Sequence, residues 1–142
     1  MKDKAIAIEL PVWMSPNDYI FTQITGDDVK MYFKVWSKPG KYSDKYGLFR
    51  FSGLWSIRAQ RHQKLRYYPN EEEHNYSSYY LLVPNSSWLE QLYMERSSFD
   101  KDWQKYDKRE YIHYIVQNND YYIELIASSI TFEEVSCIDF PR

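Results

Sequence analysis

A carboxylate beside an imidazole fixes the ring's tautomer and raises its proton affinity, so His with Asp or Glu is a common general-base arrangement. The chain carries three histidines, and local pattern brings one of them, His113, to a carboxylate, Glu124. Both lie in β-like runs, Glu110 to Gln117 and Asp120 to Ala127, on either side of Asn118-Asn119. Asparagine tolerates the positive φ of a type I′ turn, and a two-residue loop then sets Ile112 against Leu125, Tyr114 against Ile123 and Val116 against Tyr121. One face of this hairpin is apolar and aromatic. The other sets His113 directly against Glu124, with Tyr111, Tyr122 and Ile126 beside them. Such a pair is a catalytic dyad if it faces a concave pocket, and a cross-strand bond worth about 0.2–1 kcal/mol if it does not. Burial of that face beneath a helix decides for the second.

Other chemistry has less support. Cys137 is the single cysteine and has no base assigned to it; no Gly-x-Ser-x-Gly elbow or phosphate-cradling glycine loop occurs. Glu71-Glu72-Glu73 reads as a solvated turn, and His74 beside it lacks metal-ligand spacing. No metal and no cofactor is expected.

A second feature is electrostatic. Residues 30 to 68 carry ten Lys/Arg against the single Asp44, while the remainder of the chain is acidic and the net charge is -2. From Leu54 to Tyr68 the even positions give Arg58, Gln60, His62, Lys64 and Arg66, a basic ladder on one face of an extended strand. With nearby rings such a face suits a single-stranded nucleic acid. Otherwise, its charges pair with acidic segments of the same sheet.

Strands and one helix must position these residues. Ala5 to Leu10 reads as a short strand ended by Pro11, and Ser15-Pro16-Asn17-Asp18 as a turn or brief helix through Thr22. After the Thr25-Gly26-Asp27-Asp28 turn, Val29, Met31, Phe33 and Val35 alternate with polar or amphipathic residues, the period-2 pattern of a half-buried strand. Lys38 to Gly47 reads as a polar loop, Leu48 to Phe51 as the start of a strand, and Tyr76 to Val83 as another. Ser87 with Glu90 makes a capping box, and Trp88, Leu89, Leu92 and Tyr93 give a helical stripe over about residues 87–96. Trp103 and Tyr106, three apart, fit a second short helix. Ile130 to Val135 adds a last strand.

These elements predict one α+β domain, a twisted, mostly antiparallel sheet of about five to seven strands with one clear helix and the hairpin at 110–127. The short N-terminal apolar stretch does not fit a signal peptide, and no segment approaches the length of a membrane span, so a cytoplasmic setting is expected. Excess Tyr and Trp suit an interface. The leading expectation is therefore a non-enzymatic module that binds a protein partner, or its own copy as a homodimer, through aromatic and charge-complementary surface. The alternatives are single-stranded nucleic-acid binding on the basic face and a ligand carrier or enzyme built on His113 and Glu124. Candidate binding residues are Arg58, His62, Lys64, Arg66, Tyr111 and Tyr122.

Overall fold

Alternating apolar residues on several strands demand a second apolar surface to cover them, and the chain supplies it from its own other half. In the computed structural model, which describes residues 2–61 and 80–138, the expected single sheet is replaced by two antiparallel five-stranded sheets packed face to face. One sheet runs β1 (Ile6–Ala7), β7 (Tyr80–Val83), β8 (Ile112–Gln117), β9 (Tyr121–Ala127), β6 (Ser56–Arg61). The other runs β10 (Ser129–Val135), β5 (Lys41–Ser52), β4 (Asp28–Lys38), β2 (Trp13–Met14), with β3 (Phe21–Thr25) also paired to β4. Val29, Met31, Phe33, Val35, Phe49 and Phe51 from the second sheet meet Tyr80, Tyr114, Val116, Ile123 and Leu125 from the first. Ring contacts such as Phe49 on Tyr80 and Phe51 on Tyr114 cross the interface. The protein is α+β but dominated by sheet.

The second sheet is longer than the sequence pattern predicts. Lys38 to Gly47 is no loop: Lys38 pairs with Lys41 across a tight turn at Pro39-Gly40, where Gly40 takes φ +79°, and β5 starts at once. Proline followed by a positive-φ glycine is the type II turn signature. Gly47 lies opposite Phe33, and a Cβ there would stand 2.1 Å from Phe33 Cζ. Of the turn or brief helix expected from Ser15 through Thr22, the chain bends at residues 16–18 without forming a helix, and Phe21 to Thr25 extends as β3, closed onto β4 by Gly26 at φ +64°.

Helix α1 (Ser87–Phe99) lies over the back of the first sheet, with α2 (Trp103–Tyr106) beside it. Trp88, Leu89, Leu92 and Tyr93 pack there against Trp55, Trp103, Tyr111 and Ile126. Its N-cap is Ser86, one residue before the expected Ser87: Ser86 Oγ accepts the Leu89 N–H at 3.0 Å. The Ser87 N–H and hydroxyl both donate to the Asp3 carboxylate, at 2.8 and 2.6 Å, so the chain start completes the cap. Asp3 takes φ 60° to do so.

Candidate functional site

The hairpin forms with its faces as expected and its register moved by two. Tyr114 pairs with Leu125, Val116 with Ile123 and His113 with Ile126. The cause lies in the loop. Asn118 Oδ1 accepts the N–H groups of Asp120 and Tyr121 at 2.8 and 2.9 Å, and neither Asn118 nor Asn119 adopts positive φ. An asparagine side chain that folds the backbone around itself replaces the two-residue type I′ turn, and Gln117 opposite Tyr122 becomes the last pair before it. A shift of two keeps every side chain on its face.

His113 and Glu124 therefore meet diagonally, with Nε2 and Oε1 2.8 Å apart. Directly opposite Glu124 stands Arg58, whose Nε donates to Oε2 at 2.7 Å and whose second nitrogen donates to Oε1 at 3.3 Å. On the far side of the imidazole, Nδ1 lies 2.7 Å from Ser86 Oγ. Because that oxygen already accepts the Leu89 N–H, its own proton is free to go to Nδ1. A hydrogen on Nε2 then satisfies the chain from Ser86 through His113 to Glu124 and Arg58. Burial works against the Glu124 carboxylate, but the His113 and Arg58 hydrogen bonds and the Arg58 charge outweigh it and hold its pKa below the ordinary value.

Serine, imidazole and carboxylate in this order are the parts of a nucleophilic triad. Here they are sealed. His113 and Glu124 are 0% and 1% exposed and Ser86 8%, the Trp88 ring meets His113 edge-on at 5.1 Å, and the Arg58 guanidinium lies 3.8 Å from the Trp88 centroid. The network joins the helix N-terminus, the back of the hairpin and β6. In this geometry Ser86 is a helix cap. Its part was not legible beforehand, because the Glu90 spacing drew the cap to Ser87.

The other sequence candidates separate. Arg58, the first rung of the basic ladder, is bound to Glu124; His62, Lys64 and Arg66 lie outside the described residues, as do Glu71 to His74. Tyr111 and Tyr122 are buried, and the Tyr111 hydroxyl donates to Asp107 at 2.5 Å. Cys137 is exposed. Among the described residues there is no metal-holding cluster, and no helix is long and apolar enough to cross a membrane.

Among the described residues, β3 is an open apolar strand. It reads Phe-Thr-Gln-Ile-Thr with no charge, and Phe21, Ile24 and the preceding Tyr19 are 38%, 52% and 75% exposed. β3 pairs with β4 along one side. With Thr25 opposite Asp28 at a two-residue turn, Thr25, Gln23 and Phe21 aim their backbone groups at β4, and Thr22 and Ile24 aim theirs outward. The start of the strand is pinned by the Tyr121 hydroxyl, which accepts the Ile20 N–H at 2.8 Å. Comparison with protein-family models, curated proteins and solved structures finds no match to the chain.

Proposed function

We propose that the protein is a non-enzymatic binding module that takes an extended segment of a protein partner along the outer edge of β3. The observation that carries this reading is, among the described residues, an uncharged edge strand with exposed Phe21 and Ile24 and outward-turned backbone groups at Thr22 and Ile24. Unprotected edges of this kind template strand addition, and folded proteins ordinarily blunt them with Lys, Pro or a covering element. Main-chain hydrogen bonds would supply affinity, and Phe21 and Ile24, on opposite faces, would read alternate partner side chains. A cytoplasmic setting belongs to the same proposal, consistent with a single unpaired cysteine.

Panning a library of random linear peptides against the protein, followed by amide hydrogen exchange on the complexes, tests it. The expected result is slowed exchange at Thr22 and Ile24, lost in Thr22→Pro, which removes one outward donor. Peptides that protect another surface, or that bind Thr22→Pro unchanged, sink the idea. Sedimentation of the protein alone shows whether the partner strand is a second copy.

A further inference from the structure

A charged edge strand resists pairing with its own copy, because a two-fold axis brings like charges together. Among the described residues, β6 carries Arg58 and Arg61 and β10 carries Glu133 and Glu134, while the edges β1 and β2 are only two residues long. β3 has none of these protections. Its five residues are uncharged and all but Gln23 are exposed. Thr22 and Ile24 stand opposite Met31 and Val29, both buried, so they continue the core face of β4 beyond the part that the first sheet covers.

The spacing of the open backbone groups selects a register. Thr22 and Ile24 turn outward on either side of Gln23. Antiparallel pairing centred on Gln23 sets Thr22 of one copy against Ile24 of the other, and the reverse, so each pair exchanges both of its main-chain bonds. Pairing centred on Thr22 would need the Ile20 N–H, which already goes to the Tyr121 hydroxyl. Pairing centred on Ile24 would need Gly26, which turns the chain away at φ +64°. In the Gln23 register the side chains also match: Phe21 meets Thr25 of the other copy, the two Gln23 amides meet on the axis, and Ile24 meets Thr22 on the opposite face. A free extended segment would carry its own unpaired edge outward, whereas a second β3 closes the contact on both sides.

We infer that the occupant of the β3 edge is β3 of a second copy, in a two-fold dimer whose sheet runs through both protomers. The inference rests on the edge-strand reading and names its partner. Sedimentation equilibrium should show dimerisation with a Kd on the order of 10–100 μM, since a strand pair this short lies at the small end of protein interfaces. In a Cys137→Ser background, Gln23→Cys should form an intermolecular disulfide under mild oxidation, because facing Cα atoms in a pair of this type lie about 4.5 Å apart. Thr25→Cys, at a position that faces Phe21 and not itself, should not. Gln23→Glu gains Lys30 opposite it within the protomer but sets like charges across the axis. It should weaken the dimer about fivefold or more at low salt, with circular dichroism unchanged. A monomer at about 300 μM whose selected peptides still slow exchange at Thr22 and Ile24 overturns the second copy and leaves the edge-strand reading standing. A monomer with no peptide protection there overturns both. A dimer in which Thr22 and Ile24 exchange unslowed, in which Thr25→Cys cross-links as fast as Gln23→Cys, or which Gln23→Glu leaves equally tight also overturns the inference.

Discussion

Glu124 lies directly opposite Arg58 and diagonally from His113, and both reach it, Arg58 Nε at 2.7 Å and His113 Nε2 at 2.8 Å. The carboxylate is almost fully buried while Arg58 keeps 41% of its side chain exposed. A buried charge stripped of its partner typically costs about 3–5 kcal/mol. Solvent reaching Arg58 lowers that figure, so Arg58→Ala should destabilise by about 2–4 kcal/mol in urea unfolding. The double variant Arg58→Met with Glu124→Leu, which removes both charges, should recover at least half of the loss.

Acid should weaken the fold. Glu124, Asp18 and Asp107 each have a pKa below the ordinary value. For Glu124 and Asp18, burial opposes the shift and partners outweigh it, His113 and Arg58 for the first, Ser15, Tyr42 and Lys34 for the second. For Asp107 the Tyr111 hydroxyl leads. Because the unfolded chain takes up these protons first, the stability they supply is complete above the ordinary carboxylate range and is lost as pH falls through the depressed folded values. Unfolding free energy measured from neutral pH downward should hold to about pH 5 and then decline.

The two neighbouring serines should behave differently. Ser86→Ala removes the N-cap of α1 and strands His113 Nδ1, for an expected loss of about 1–2 kcal/mol. Ser87→Ala leaves the Ser87 N–H bonded to Asp3 and should cost about half as much or less. Paired thermal melts read the difference, and equal losses would return the cap to Ser87.

Gly47→Ala drives a methyl into the Phe33 ring, which is itself packed against Phe49 and Phe132. Overpacking of this sort typically costs about 1–3 kcal/mol. Gly26→Ala meets no neighbouring atom but keeps the positive φ, so its penalty, measured in the same denaturation series, should be about 1 kcal/mol.

Period-2 patterning made the faces of β4, β8 and β9 legible, because the side-chain alternation survives whatever the strand pairs with. It could not give the hairpin register, which hangs on the Asn118 side chain, nor the burial of both hairpin faces. Ile112, on the apolar hairpin face, is 38% exposed at the strand start, and Tyr121 is half-buried. The pairing of basic with acidic strands was readable in outline and appears as Arg58 with Glu124 and Arg50 with Glu133. Of the sealed network, His113 and Glu124 were legible from local alternation alone. Ser86 and the Asp3 cap were not, since each depends on chain segments brought together from far apart. The polar stretch before Gly47 hid the first half of β5, because Lys, Tyr, Ser and Asp on a solvated sheet face look the same as a loop.

Sheet order carries a consequence for how the chain is made. Arg58 finds its carboxylate 66 residues later, and Ser87 reaches back to an aspartate 84 residues earlier. During synthesis β6 therefore emerges long before the strand it pairs with, while the β3–β4–β5 meander can close on itself at once. The β2–β5 part of the second sheet should be born first, with its apolar face open until β8 and β9 leave the ribosome and with its last strand, β10, added only after them. A nascent chain arrested before Ile112 is the species a chaperone would meet.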